Sequence, residues 1–219
     1  MARILVVHYS RSGHTARLAE ALAWELRRLG HTVEEEAIRV RREWNKWLPP
    51  LPLLPLLPFL PLYLLSRHFR QLWHRIYYQP RQEIFPLLHA DVSDFDLVLL
   101  GTPKWLYLSY PVARWLDTVR GIEGKRVACF ATFCGPPLRV FEIEMLFEPL
   151  QARLHSREAI STGRLAVSSD YHEYFFFNEM RGLFRWLSLK AFGRPLSDFT
   201  LDGEIGQSAF RRFCDELAL

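Results

Sequence analysis

Short, unbroken aliphatic runs, each followed by an amphipathic stretch, constrain the fold of this chain more than any other feature. Residues 4–7 form the first run, and residues 96–101 and 125–130 repeat the pattern. A continuous aliphatic run is typical of a strand that is buried on both faces of a parallel sheet. Residues 31–38 and 165–167 predict two further strands.

Between these runs, apolar residues recur at spacings of three and four, as they do on one face of a helix. Leu18, Leu22 and Leu26 show this spacing after the first run, and Gly30 is placed to end that helix. Alternation of strands and helices predicts an α/β fold with an open, doubly wound, five-stranded parallel sheet. In such sheets ligands bind beyond the carboxyl ends of the strands, so we expect the site in the loops after strands one, three and four.

The composition supports one hydrophobic core and excludes several classes of protein. The 219 residues are 49% apolar and 14% aromatic, which excludes a disordered chain, and the net charge is only +4. Cys129, Cys134 and Cys214 are too few and too irregularly spaced for a disulfide framework or a metal site. The first apolar run is too short for a secretory signal, so we expect the protein in the cytoplasm. We expect one domain over residues 1–219, with neither a bound metal nor a nucleic-acid partner.

The loop after the first strand has the composition of an anion site. Successive backbone N–H groups at a helix N-terminus attract a phosphate, hydroxyls add donors, and a glycine lets the backbone approach closely. The loop has neither the lysine of an ATP-binding P-loop nor a GxGxxG fingerprint, and a plain helix cap is the alternative interpretation. The candidate phosphate-binding residues are Ser10, Arg11, Ser12, Gly13, His14 and Thr15.

The pattern Ser10-x-Ser12-Gly13-x-Thr15 resembles the phosphate loop of the flavodoxin-like FMN proteins. Residues 101–105 resemble the loop on one side of the isoalloxazine ring in that family, and residues 131–136 stand where the family places the other wall. The resemblance covers about residues 1–40 and 91–170 and implies strand order 2-1-3-4-5, with FMN as the cofactor. The further cofactor-binding residues that it implies are Thr102, Pro103, Lys104, Trp105, Thr132, Phe133, Cys134 and Gly135.

Three side chains in these loops have distinct expected roles toward a flavin. Trp105 and Phe133 are candidates to contact the ring, with packing beneath a loop as the alternative for each. Lys104 is a candidate to tune the cofactor, because a cation near the pyrimidine edge would raise the reduction potential of the flavin. A solvated loop lysine is the alternative, and no catalytic side chain is predicted.

A long insertion separates the second and third strands. It runs over residues 40–90, about 50 residues, whereas a crossover between parallel strands needs only about a dozen. Residues 48–65 contain ten leucines, six prolines and no charge. The length suits a membrane span, but the prolines would break a helix and leave carbonyl groups unsatisfied in hydrocarbon, so we do not expect a span.

The residues around this segment favour contact with a membrane surface. Basic and aromatic side chains border it on both sides, and residues 64–78 predict one amphipathic helix. The predicted apolar face comprises Leu65, Phe69, Leu72, Trp73 and Ile76. Residues 181–194 predict a second interfacial helix. We therefore expect peripheral membrane contact through residues 44–78; a lid over the flavin, a homodimer interface and a polyproline ligand are the alternatives.

These features together predict an FMN-dependent oxidoreductase that passes electrons to or from a lipophilic acceptor such as a quinone, on the inner face of the membrane. The expectation is similar to the activity of the menaquinone-linked protoporphyrinogen oxidases and, more distantly, the NAD(P)H:quinone reductases of the family. The porphyrin substrate is not carried over, because the insertion here follows the second strand. One alternative is an electron-transfer module that docks a redox protein partner through the insertion, and another is a scaffold that has lost the flavin.

Overall fold

The fold is built on five parallel strands. A computed structural model describes residues 1–42, 57–77, 82–104, 108–170 and 175–217. The strands pair in the order β2-β1-β3-β4-β5, which confirms the predicted sheet. Their bounds are β1 Arg3–His8, β2 Thr32–Ala37, β3 Leu97–Pro103, β4 Arg126–Phe133 and β5 Ile160–Ser168.

Helices connect the strands and follow the last of them. Their bounds are α1 His14–Arg28, α2 Leu60–Leu65, α3 Arg67–Tyr77, α4 Tyr110–Thr118, α5 Met145–Ser156, α6 Phe175–Phe192 and α7 Glu204–Glu216. A π-helical turn, Arg139–Glu144, leads into α5. Gly30 ends the first helical segment as predicted, with φ of 88°, a left-handed conformation that glycine adopts without steric cost.

Helices cover both faces of the sheet, which explains why the aliphatic runs are continuous. Successive side chains of a strand point to opposite faces of the sheet. Because both faces are covered, residues 4–7 of β1 are all fully buried. Two of them pack in the cluster that contains Trp115 of α4, and the other two pack in the cluster that contains Leu22 of α1.

Two parts of the insertion meet beyond the sheet, where Val40 and Ile84 form an isolated antiparallel bridge. The predicted single helix over residues 64–78 is wrong, because the chain is extended at Ser66 and separates α2 from α3. The Ser66 hydroxyl accepts a hydrogen bond from the backbone N–H of Phe69 at 3.2 Å, which caps the start of α3. Residues 43–56 and 78–81, with half of the proline- and leucine-rich segment 48–65, lie outside the described residues.

The predicted apolar face of the insertion is also wrong in part. Tyr63 and Trp73 are buried in the same core cluster as residues of β1 and β3. In contrast, Leu65 is 87% exposed and Leu72 is 54% exposed. The insertion therefore contributes two aromatic rings to the core, and α3 packs against α2 and α5 while Leu72 stays exposed. Within the described ranges, no helix is both long and apolar enough to cross a bilayer.

Candidate cofactor site

The carboxyl ends of β1, β3 and β4 bring the three predicted loops to one edge of the sheet. His8 pairs with Gly101, and Pro103 pairs with Thr132 in the parallel register. The hydroxyls of Thr15 and Thr132 lie 2.8 Å apart and are buried, although the residues are 117 positions apart in sequence. The first and third loops are thus joined by a direct hydrogen bond.

The first loop leaves hydrogen-bonding groups unused. Gly13 has φ of 88° and immediately precedes α1, and no side chain caps the helix. The Ser10 hydroxyl is buried and has no hydrogen-bond partner among the described residues. A buried hydroxyl without a partner is costly, and a phosphate oxygen would accept its hydrogen. These residues therefore fit a phosphate group at the start of α1.

The other members of the first loop differ in exposure and charge. Ser12 is exposed, as is Gly13, whereas Arg11 and His14 are half-buried. Burial lowers the pKa of His14, and the positive charge of Arg17 lowers it further. His14 is therefore uncharged at neutral pH, and its backbone N–H in the first turn of α1 is the group suited to an anion.

A small cavity lies beside the N-terminus of α1. Its volume is about 240 Å³, and Thr132 and His14 are among the lining residues. The arginines in its wall are already paired: Arg17 with Asp202 at 2.7 Å, and Arg181 with Asp170 at 3.1 Å. The volume is below that of pockets that enclose a drug-sized ligand, about 300 Å³ or more, so it suits a phosphate rather than a whole flavin.

A larger cavity of about 540 Å³ lies between the second half of α1 and α7, where Trp24 and Phe210 line it. Its lining residues do not include any residue of the loops that follow β1, β3 and β4. Because parallel sheets bind ligands at those ends, we assign the candidate site to the sheet edge.

Polar groups of the described residues at the start and end of the second loop are hydrogen-bonded to one another and to the third loop. Thr102 is buried, and its hydroxyl donates to the carbonyl of Pro103 at 3.1 Å and lies 3.0 Å from the Ser109 hydroxyl. Pro103 itself is half-buried at the end of β3. The backbone N–H of Lys104 donates to the carbonyl of Thr132 at 2.8 Å, which ties this loop to the third. Trp105 lies outside the described residues.

Lys104 is neither a solvated lysine nor an isolated cation. Its ammonium group lies 2.8 Å from a carboxylate oxygen of Glu142, and the two side chains are 10% and 7% exposed. Glu142 belongs to the π-helical turn, 38 positions later in the chain. The sequence reasoning missed it, because a glutamate between apolar residues gives no local signal of so distant a partner.

The third loop is largely buried. Phe133 is buried at the end of β4, and Cys134 is half-buried beside it. Burial, with the nearby Glu142 carboxylate, raises the pKa of the Cys134 thiol to about 12, so the thiol stays protonated and is not a nucleophile at neutral pH. A side chain at Gly135 would stand 3.0 Å from Glu142 and 3.1 Å from the ring of Phe184, so only glycine leaves these groups in place.

Comparison with solved structures identifies the fold as flavodoxin-like. Oxidised flavodoxin 2 from Bacillus cereus has a TM-score of 0.52 at 15% identity, over 99% of this chain and 98% of that chain. Oxidised flavodoxin 1 from the same organism has a TM-score of 0.51 at 14% identity, over 98% of this chain and 96% of that one. A flavoprotein from Lactobacillus acidophilus, solved in complex with FMN, has a TM-score of 0.51 at 18% identity, over 83% of this chain and 99% of that one. No protein-family model matches the sequence, and no curated protein is similar to it.

Proposed function

We propose that this protein binds FMN at the carboxyl edge of β1, β3 and β4 and transfers electrons through it. The observation that carries the proposal is the buried, unpartnered hydroxyl of Ser10 beside the uncapped start of α1. The flavodoxin-like fold supports it, since the Lactobacillus flavoprotein with this fold was solved with FMN. When bound, FMN supplies the transfer of one or two electrons, while the protein supplies binding and orientation.

The chain's own groups divide this work between the loops. Ser10, Ser12 and the first backbone N–H groups of α1 would hold the phosphate. The hydrogen bond between Thr15 and Thr132 keeps the first loop in register with the third. The buried Lys104–Glu142 pair forms a polar part of the edge with no net charge.

Replacing Ser12 by aspartate tests the phosphate assignment. The added carboxylate would repel the FMN phosphate, so we expect the Kd for FMN to rise about 100-fold. Riboflavin has no phosphate, and its Kd should not change. Titration with quenching of flavin fluorescence measures both constants.

The matched control is Ser208→Asp, which introduces the same charge at an exposed position of α7. It should leave both Kd values unchanged. Equal weakening of FMN and riboflavin by Ser12→Asp, or no effect on either, would contradict the phosphate assignment.

We further propose that the electron acceptor is lipophilic, such as a quinone, and is met at the surface of an anionic membrane facing the cytoplasm. Exposed apolar side chains on the insertion support this: Phe59, Leu62, Leu65 and Leu72. Arg67 is 73% exposed on the same segment and can face lipid headgroups. Helix α6 adds exposed Leu183, Trp186 and Leu189, with exposed Lys190 beside them.

Sedimentation with vesicles tests the membrane part of this proposal. Replacing Leu65 and Leu72 together by glutamate should abolish binding to phosphatidylglycerol vesicles. Replacing Leu88 by glutamate is the control, because Leu88 is 86% exposed but lies outside residues 44–78. Unchanged binding by the double variant would contradict membrane contact through this surface.

An exposed apolar surface also suits a protein partner, which is the alternative acceptor. Sedimentation velocity of the same double variant shows whether the surface instead joins two copies of the chain. Steady-state turnover with NAD(P)H and menadione separates an oxidoreductase, which turns over, from an electron-transfer module, which does not.

A further inference from the structure

Arg70 on α3 is a buried charge within the insertion. Its side chain is 7% exposed. Nε and Nη2 donate to the two carboxylate oxygens of Glu148 at 3.1 and 3.4 Å, and Nη2 also donates to Glu144 at 3.0 Å. Nη1 donates to the carbonyls of Tyr63 and Leu64 at 3.2 and 3.0 Å. All five N–H bonds of the guanidinium group thus have an acceptor within the protein.

The two carboxylates that hold Arg70 belong to the segment that carries Glu142. Glu144 is the last residue of the π-helical turn, and Glu148 lies in the first turn of α5. Glu142 is two positions before Glu144 and pairs with Lys104. The π-helical turn is therefore held at Glu144 by Arg70 of the insertion and at Glu142 by Lys104 of the candidate cofactor edge. Such π-helical turns are uncommon and concentrate at functional sites.

Arg67 shows that this arrangement is specific to Arg70. It lies one turn earlier on the same helix and is 73% exposed, with Nε 3.7 Å from a carboxylate oxygen of Glu148. An exposed pair of that kind contributes little, whereas loss of one partner from a buried network leaves the other charges unpaired. Arg70 is thus the buried arginine that links the insertion to this turn, whereas Arg139, which also pairs with Glu144 at 2.6 Å, is 88% exposed.

We infer that the insertion is a structural part of the cofactor edge and that Arg70 is a positioning residue, which holds the turn Arg139–Glu144 so that Glu142 stays paired with Lys104. The inference deepens the proposed function, and only its flavin measurement rests on that function. The insertion would then have a second role beside any external contact. A shift of the insertion would move Glu142 and so change the charge beside Lys104.

Chemical labelling of lysine amines in the cofactor-free protein tests the inference without a flavin. Acetic anhydride labelling followed by mass spectrometry gives the rate at Lys104 relative to the exposed Lys190. We expect Arg70→Met to raise the relative rate at Lys104 about tenfold, because the turn and Glu142 shift away. Arg67→Met is the matched control and should leave it unchanged. Glu142→Gln should raise it directly.

A further variant separates positioning from stability. Arg70→Met removes the buried cation that pairs with Glu144 and Glu148 and leaves them only the exposed Arg139 and Arg67, and this can prevent folding. Combining it with Glu144→Gln and Glu148→Gln removes the two carboxylate charges, so that variant should fold and still label faster at Lys104. An unchanged relative rate at Lys104 in a folded Arg70 variant would overturn the inference.

The reduction potential of the bound flavin supplies a measurement that a purely structural role would not move. Glu142→Gln exposes the flavin to the unpaired Lys104 cation and should raise the two-electron potential. The Arg70 variants should shift the potential in the same direction, and combining them with Glu142→Gln should add nothing further. A shift in Glu142→Gln without one in the Arg70 variants would contradict the inference. If FMN does not bind, the proposed function fails while the labelling result still decides this inference.

Discussion

The β-sheet and the insertion are both rich in aliphatic residues, yet they bury them differently. Residues 4–7 of β1 have no exposed surface, whereas Leu65 and Leu72 of the insertion are mostly exposed. Both faces of the sheet are covered by helices, so residues 97–102 of the central strand β3 are buried as well. The insertion leaves Leu65 and Leu72 at the surface, so hydrophobic sequence there does not imply burial.

In the insertion a charged side chain is buried while leucines are exposed, the opposite of the usual arrangement. The insertion is fixed by the buried Arg70 and by the rings of Tyr63 and Trp73, while Leu65 and Leu72 are exposed. The basic residues around residues 48–65 are therefore not one class: Arg67 is available to a surface, and Arg70 is not. The expectation that these arginines all face a membrane is wrong for Arg70.

The largest effect on stability should come from breaking the insertion's ion-pair network. We expect Arg70→Met to reduce the free energy of unfolding by about 4 kcal/mol, because Glu144 and Glu148 lose their buried partner and keep only exposed ones. Adding Glu144→Gln and Glu148→Gln should restore most of that loss. Urea denaturation measures both variants. A loss below about 1 kcal/mol for Arg70→Met would show that the insertion is not fastened in this way.

Leucine truncation compares the two regions directly. Leu99 of β3 is fully buried, and Leu99→Ala should cost about 3 kcal/mol through lost burial and the cavity that remains. Leu65→Ala should change the unfolding free energy by less than about 0.5 kcal/mol. Similar losses for the two variants, measured in urea, would remove the distinction between sheet and insertion.

Gly101 sharpens the contrast within the sheet. A methyl group there would overlap the ring of Phe130 and stand 2.8 Å from the Cβ of His8, so Gly101→Ala should cost about 2 kcal/mol by overpacking. Gly182 on α6 has no atom within 4 Å of the same added carbon. Gly182→Ala should be neutral or stabilise the protein by up to about 1 kcal/mol, since alanine favours helix. Thermal unfolding distinguishes them, and equal effects would contradict the packing role of Gly101.

A smaller effect should appear in the pH dependence of stability. Burial at the end of β1 lowers the pKa of His8, and the Glu35 carboxylate only partly opposes this. The unfolded chain therefore binds a proton first, at about pH 6.5, and stability present above that pH is lost as the pH falls toward the lower folded value. Urea denaturation at about pH 7.5 and about pH 5.5 should show the decrease. His8→Gln should make this loss of stability between the two pH values smaller. A loss equal to that of the unaltered protein would assign the pH dependence to other groups such as His14.

Local sequence patterns were sufficient to predict the strands of the sheet, and they also predict which edge of the sheet would hold a cofactor. The aliphatic run at residues 4–7 requires two covered faces, and Gly30 requires a helix end, so both were predictable. The pairing of Lys104 with Glu142 and of Arg70 with Glu144 was not, because it depends on how distant elements pack. The break at Ser66 was missed because helical spacing continued through it.

Titration of the purified, cofactor-stripped protein with FMN tests most directly whether the carboxyl edge of the sheet holds a flavin. We expect flavin fluorescence to be quenched with a stoichiometry of one FMN per chain. Folding is verified by circular dichroism in the same sample. A folded protein that leaves FMN fluorescence unchanged up to millimolar protein would contradict the account.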